Sequence, residues 1–221
     1  MAIKKIVILG TGGNCIDILD TINEINRFEE KPKYECVGFL DDNKEVWGKS
    51  FFDTKVLGPL DYASNLPKSY YFINGIGSPS NFWKKEEIIN KTKILLSRFE
   101  TIIHPTASVS KMAKIGKGNV ILQNVTISSN VMLGDHIIIL PNSVISHDDI
   151  IGDYTSLAGG VCISGNVRIG KFCYLGSNCS IIDGIIISDY CLIGMGSVVI
   201  SNIERNSVVA GCPAKFLRDT K

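Results

Sequence analysis

This sequence predicts a small α/β domain followed by a solenoid of very short parallel strands, on three observations. Sixteen apolar residues, running from Val109, Ile115 and Ile121 to Ile187, Ile193 and Val199, recur six apart without a break. Neither a helix nor an alternating strand has that period, and a hexapeptide repeat marks a strand solenoid. Upstream, strand-like apolar runs alternate with helical spacing. Between the two stands His104-Pro105, where proline holds the preceding residue extended, so that no helix pattern crosses it.

Taken in order, Lys5 to Leu9 is an apolar strand that runs into the turn Gly10-Thr11-Gly12-Gly13. Asn14 to Arg27 has helical spacing at Ile16, Leu19, Ile22 and Ile25. Glu35 to Leu40 is a second strand, ending in Asp41 and Asp42. Tyr70 to Ile76 is a third, Trp83 to Leu96 a second helix, and Phe99 to Ile103 a last strand. This order predicts a small Rossmann-like parallel sheet over residues 1–103. Residues 104–201 form the solenoid, and the tail, 202–221, breaks the period and is expected to pack on it.

The residue after each inward apolar position sorts by threes. Gly116, Gly134, Gly152, Gly170 and Ser188 form one set, Ser110, Ser128, Ser146 and Ser164 a second, and Leu122, Leu140, Ala158, Gly176 and Gly194 a third. Like residues therefore recur every 18 positions, which makes each coil a three-sided turn of 18 residues stacked corner on corner. The apolar residues point inward and fill the prism.

Composition narrows the function classes. Lys and Arg number 23 against 22 Asp and Glu, so no basic tract suggests nucleic acid. The apolar run Ile6 to Leu9 is too short for a signal-peptide core, and no segment approaches the roughly 18 apolar residues of a membrane span. The expectation is a cytoplasmic chain with no membrane partner. Of seven cysteines, Cys173, Cys179 and Cys191 share one repeat position and read as small buried hydrophobes, not as disulfides or metal ligands.

Among the three histidines, His147 sits two residues after inward Ile145, at a corner, and should face outward. An imidazole so placed can act as a general base. Eighteen residues on, Gly165 stacks over the same corner; there it leaves room beside the imidazole and exposes an N–H that could hold an oxyanion. His104 reads as structural, and His136 as outward without a partner. The Gly10, Gly12 and Gly13 turn opens a helix and could cradle phosphates, although Cys15 stands where a dinucleotide fingerprint needs its third glycine, so NAD is not expected. Asp41 and Asp42 could accept hydrogen bonds from ribose hydroxyls or a base edge; plain turn chemistry is the alternative.

These features together, with Gly38-Phe39-Leu40-Asp41-Asp42, Ile103-His104-Pro105, Ser146-His147-Asp148, Gly165-Asn166-Val167-Arg168-Ile169-Gly170 and Gly211-Cys212-Pro213-Ala214-Lys215, resemble the hexapeptide-repeat sugar-nucleotide N-acetyltransferases. The group includes the bacterial UDP-4-amino-sugar acetyltransferase of protein glycosylation and lies close to the sialic-acid O-acetyltransferases. The resemblance spans the whole chain. It implies a left-handed parallel β-helix, a homotrimer with active sites between neighbouring prisms, acetyl-CoA as co-substrate and no metal. It implies further that Asp148 orients His147, and that the glycine turn with Asn14, Asp41 and Asp42 receives a nucleotide sugar. Many relatives carry histidine at the position of Asn14, and the glycosylation enzyme carries a coenzyme-contacting histidine at that of Ser156; both are departures here. The coenzyme would lie along Gly165, Ser156, Gly176 and Gly194, with Lys215 and Arg218 near its phosphates unless they are plain surface charge.

The function expected is N-acetylation of a nucleotide-linked amino sugar, such as a 4-amino-4,6-dideoxyhexose, by direct attack of the amine on the thioester. O-acetylation of a sialic-acid-like sugar, a non-catalytic nucleotide-binding trimeric scaffold and a zinc hydratase of the γ-carbonic-anhydrase shape are the alternatives. The spacings between the histidines, 32 and 11, do not stack them for zinc.

Overall fold

The computed structural model describes residues 3–220. Strand β1 (Lys4–Leu9), helix α1 (Gly13–Phe28) and strand β2 (Tyr34–Leu40) open the head. Then come the short strands β3 (Ser50–Phe51) and β4 (Thr54–Gly58), strand β5 (Tyr71–Asn74) and helix α2 (Lys85–Asn90). The sheet order is β3-β4-β2-β1-β5, parallel except for the β3–β4 hairpin. Central β1 reads as an apolar run because it is covered on both faces: Ile6 and Ile8 pack beneath α1, Val7 and Leu9 on the opposite side.

Two sequence expectations for the head are corrected. The second helix ends at Asn90 rather than Leu96. Thr92 turns its hydroxyl onto the Ile89 carbonyl at 2.7 Å, and Lys93 adopts a φ of 55°, so the helical ladder stops there. The strand expected over Phe99 to Ile103 does not join the head sheet as a strand. Phe99 makes a single bridge to Phe72, and Ile102–Ile103 pairs in parallel with Val120–Ile121 as the first rung of the solenoid.

From there the chain winds into the predicted left-handed parallel β-helix of two-residue strands. The first face runs Ile102–Ile103, Val120–Ile121, Ile138–Ile139, Ser156–Leu157, Tyr174–Leu175 and Leu192–Ile193. The second holds Ser108–Val109 through Val198–Val199, and the third Lys114–Ile115 through Ile186–Ile187. Each inward residue pairs with the one 18 positions on, as Ile127 does with Ile145. The core is continuous from Ile121 to Val209, whereas Val109 and Ile115 stay half-buried because no coil lies below them. Each fully buried aliphatic contributes about 1.5–3 kcal/mol, so the prism is held by a long column of equal, local terms.

The tail extends the first face. Ser207–Gly211 pairs in parallel with Leu192–Ile193, and Ala214–Asp219 folds back on it in antiparallel. The head covers the other end of the same face: Ile102, Val120, Leu122 and Ile138 belong to its core. Residue identity at the corners follows backbone need. From Ile115 to Ile193 the third residue after each inward position takes positive φ, and two of the three corner columns use Asn, Asp or Gly there, among them Asn124, Asn130, Asn142 and Asp148.

Candidate functional site

His147 lies on the edge between the second and third faces, between the rungs Val144–Ile145 and Ile150–Ile151. Its side chain is 59% exposed. Nδ1 stands 2.8 Å from Asp148 Oδ2, and Asn130 Nδ2 donates to Asp148 Oδ1 at 3.2 Å. The ring and Asn130 together hold the Asp148 carboxyl below its usual range. Asp148 has a φ of 64°, a conformation that suits Asp and turns its carboxylate back over the preceding residue. With Asp148 accepting from Nδ1–H, the lone pair is left on Nε2, the tautomer a proton acceptor needs.

Gly165 lies beneath this ring. A Cβ there would come 2.6 Å from His147 Cε1 and 2.8 Å from Nε2. The room expected beside the imidazole is thus taken by the imidazole itself, and Gly165 is buried rather than open. The Asn166 N–H donates to the His147 carbonyl at 3.0 Å, locking the two coils in register. Asp149, next in sequence, is fully buried, accepts from Val167 N–H at 2.8 Å and is pushed up to about 7 by burial.

The second group of predicted residues is on the head. Gly10, Gly12, Gly13, Asn14 and Asp41 line one cleft of about 410 Å³ at the C-terminal end of β1, together with the loop Gly75–Gly77, Ser78 and Asn81. Gly10 needs its positive φ of 97°, and a Cβ would strike Cys15 Sγ and Ile76 Cγ1 at 2.8 Å. Gly12 and Gly13 have open space above them, and the N-terminal end of α1 carries no side-chain cap. Free N–H groups at the start of a helix of 16 residues suit an anion. Asp41 takes a hydrogen bond from Thr11 Oγ1 at 2.7 Å and faces the cleft, whereas Asp42 is turned away. Asp42 accepts from Leu60 N–H at 3.0 Å and pairs with Lys91 at 3.1 Å.

The coenzyme candidates scatter. Ser156 is buried under the head, where Lys85 Nζ donates to it at 3.1 Å. It lines a small cavity that shares Asn14, Gly77 and Ser78 with the head cleft. Gly176 and Gly194 serve close packing: a Cβ would meet Met195 N at 2.5 Å and Ala210 Cβ at 2.7 Å, respectively. Lys215 and Arg218 are exposed on the final hairpin.

The remaining histidines differ from expectation in one case. His104 is buried and bound to Glu24 at 2.6 Å. His136, expected outward, is buried at the corner between the third and first faces, with Phe99 edge-on at 4.5 Å. It opens a column repeating every 18 residues: His136 stacks on Tyr154, Tyr154 on Phe172 and Phe172 on Tyr190, with centroids 4.8–5.2 Å apart. Burial, with Lys85 nearby, lowers His136 to about 4, so it stays neutral. The signal for this column is in the sequence, at the third residue after each inward position, where His136, Tyr154, Phe172 and Tyr190 recur 18 apart. Lys85, fully buried and without an ion-pair partner among the described residues, carried no sequence signal.

Comparison with known proteins bears on the architecture. Residues 5–91 match the family described as the PglD N-terminal domain. No curated protein matches the chain. The acetyltransferase domain of PglB from Neisseria gonorrhoeae superimposes with a TM-score of 0.86 at 24% identity, over 97% of this chain and 100% of that one. PerB from Caulobacter crescentus, solved with CoA and GDP-perosamine, gives 0.81 at 22% identity, over 98% and 99%. WeeI from Acinetobacter baumannii gives 0.76 at 21% identity, over 97% and 100%. At these identities the likeness establishes the shared fold, head and prism together. No helix among the described residues is long and apolar enough to cross a membrane.

Proposed function

We propose that this chain is an acetyl-CoA-dependent N-acetyltransferase whose acceptor is a nucleotide-linked amino sugar, specifically a 4-amino-4,6-dideoxyhexose. The observation that carries the reading is the exposed His147–Asp148 pair seated on Gly165, joined in one chain to an anion-suited cleft in the head. The match of the head to the PglD N-terminal domain and the CoA and GDP-perosamine bound to PerB support it.

His147 Nε2 takes the proton that the sugar amine sheds as its nitrogen bonds to the thioester carbonyl carbon. The tetrahedral oxyanion collapses, the C–S bond breaks, and the imidazolium returns the proton to the departing CoA thiolate. Atoms and charge balance with one imidazole and no metal. Gly165 N–H is the donor proposed for the oxyanion, reached once the ring shifts to admit the thioester.

The geometry also favours an oligomer. The head cleft lies against the first face, while His147 stands on the edge shared by the other two. Within one chain the two groups stand on different sides of the prism, which supports a site completed by a second copy. Met132, Val144, Ile182 and Ile186 are exposed on the two faces flanking the His147 edge, an apolar surface for neighbouring prisms. A homotrimer closes such contacts. The coenzyme would lie in the groove between prisms, with Lys215 and Arg218 available to its phosphates.

Thiol release from acetyl-CoA with UDP-, dTDP- and GDP-linked 4-amino-4,6-dideoxyhexoses, run beside His147→Ala, tests the reaction. One sugar should drive release in the wild type and not in the variant. Silence across the panel would sink the N-acetyl reading. Mixing His147→Ala with a variant blocked at the head cleft, such as Gly12→Trp, tests the shared site: mixed oligomers should regain activity that neither parent has.

A further inference from the structure

From Asn119 on, the fifth residue of each hexapeptide, four after the inward one, is a buried corner position, and the polar occupants Asn119, Ser143, Thr155 and Cys173 share a pattern. Asn119 accepts from the N–H 18 residues on (Ile137, 2.7 Å) and donates to the carbonyl 15 residues on (Gly134, 2.9 Å). Thr155 accepts from Cys173 N–H at 3.1 Å and donates to Gly170 O at 2.9 Å. Ser143 Oγ donates to Ala158 O and Cys173 Sγ to Ser188 O, each again 15 residues on. Apolar residues such as Val131 and Val167 fill the position elsewhere; where it is polar it presents one N–H and one carbonyl, and Asn119 and Thr155 meet both.

Asp149 occupies this position, fully buried. It obeys the accepting half, with Val167 N–H 2.8 Å from Oδ1. Its Oδ2 is buried and has no partner among the described residues. By the same register the carbonyl awaiting a donor is that of Ser164, 15 residues on, and a carboxylate has no proton to give it. We infer that Asp149 works here as a neutral carboxylic acid whose Oδ2–H donates to the Ser164 carbonyl. It is thereby a positioning residue for the peptide whose N–H belongs to Gly165. That second half rests on the proposed role of Gly165. A hydrogen bond accepted by a peptide oxygen polarises the same peptide's N–H, so the donor beneath His147 is strengthened and fixed.

The electrostatic surroundings agree. Burial opposes ionisation most strongly, and the Asp148 charge adds to it. The N–H groups of Val167 and Ser146 and the His147 ring favour the anion but do not overcome burial. The register neighbours above and below, Val131 and Val167, are apolar.

The test needs no substrate at first. Infrared difference spectra of the wild type against Asp149→Asn at pH 6 should show one neutral-acid carbonyl band that the variant lacks. Thermal midpoints of the two should nearly coincide at pH 3.5, below the ordinary carboxyl value of the unfolded chain. By pH 7.5 the variant, which reproduces the Asn119 arrangement, should melt several degrees higher. Asp149→Thr, which copies the Thr155 arrangement, should behave alike and stands in if Asp149→Asn does not fold. No acid band, or a variant that melts lower by a constant interval at every pH, would overturn the inference. With an acceptor in hand, both variants should keep the wild-type KM and lose the wild type's fall in kcat at alkaline pH. If the whole sugar panel is silent, the spectra and melts still decide the state of Asp149, so the two failures stay distinct.

Discussion

His147 rests on Gly165 so closely that a single methyl group at 165 would sit 2.6 Å from the imidazole Cε1. The backbone of Gly165 lies outside the left-handed region, so alanine there meets no conformational strain. Only the ring must move. Gly165→Ala should therefore keep the fold and melt within a few degrees of the wild type while kcat falls about 10²-fold or more, the scale of losing a positioned general base. Equal losses of stability and activity would contradict this, since they would make the glycine a packing residue.

The carboxylate of Asp148 reaches His147 Nδ1 at 2.8 Å and is itself held by Asn130. Asp148→Asn retains the favoured turn conformation but removes the anionic acceptor. Its expected signature is a kcat about 10- to 100-fold lower with KM unchanged. Asn130→Ala, which frees one side of Asp148, should give a smaller loss in the same direction. Steady-state kinetics at fixed pH on both variants checks the order.

The prism was legible because a period of six survives in the bare sequence from Val109 to Val199, and each rung's fate depends only on its neighbours. His147 and Gly165 were legible for the same reason, since register converts a spacing of 18 into a contact. What escaped reading depends on contacts between the halves. Ser156 was expected along the coenzyme, yet the head covers it and Lys85 binds it. The β3–β4 hairpin, two and five residues long, is too short to carry a pattern. Helix α2 kept its apolar spacing past Asn90, and only the Thr92 hydroxyl shows why it stops.

Lys85 gives a prediction on pH. Burial alone lowers it to about 7, and its ammonium donates to the His136 carbonyl at 3.0 Å and to Ser156, with no ion-pair partner among the described residues. The unfolded chain keeps the ordinary lysine value, so between pH 7 and about 10 it binds more protons than the folded chain, and stability rises with pH. Below pH 7 both states are protonated and the full penalty, at most about 5 kcal/mol, persists. Lys85→Met should abolish the rise while giving back about 1 kcal/mol for each hydrogen bond removed. Thermal midpoints from pH 6 to 10 test it; a wild-type curve with the variant's slope would refute it. The window lies above that of Asp149, so the two effects separate on one axis.

The aromatic column gives the last prediction. Tyr154, Phe172 and Tyr190 all hold positive φ, of 62°, 53° and 60°, where a bulky side chain costs about 1–2 kcal/mol. Stacking repays this, at about 0.5–1.5 kcal/mol per pair beyond burial, and Arg205 closes the column with its Cζ 5.2 Å from the Tyr190 ring. Phe172, buried between two rings, should cost about 3–4 kcal/mol on mutation to alanine, which loses the stacks and keeps the strained backbone. Phe172→Gly loses the same stacks but relieves the backbone, so it should be the more stable of the two by about 1 kcal/mol, the reverse of their usual order. Urea unfolding at constant oligomeric state measures both. Because the column stands on the corner opposite the second face, away from His147, kcat should stay at the wild-type level in whatever fraction remains folded. A kcat that fell with the ring would tie this corner to the acetyl-transfer site.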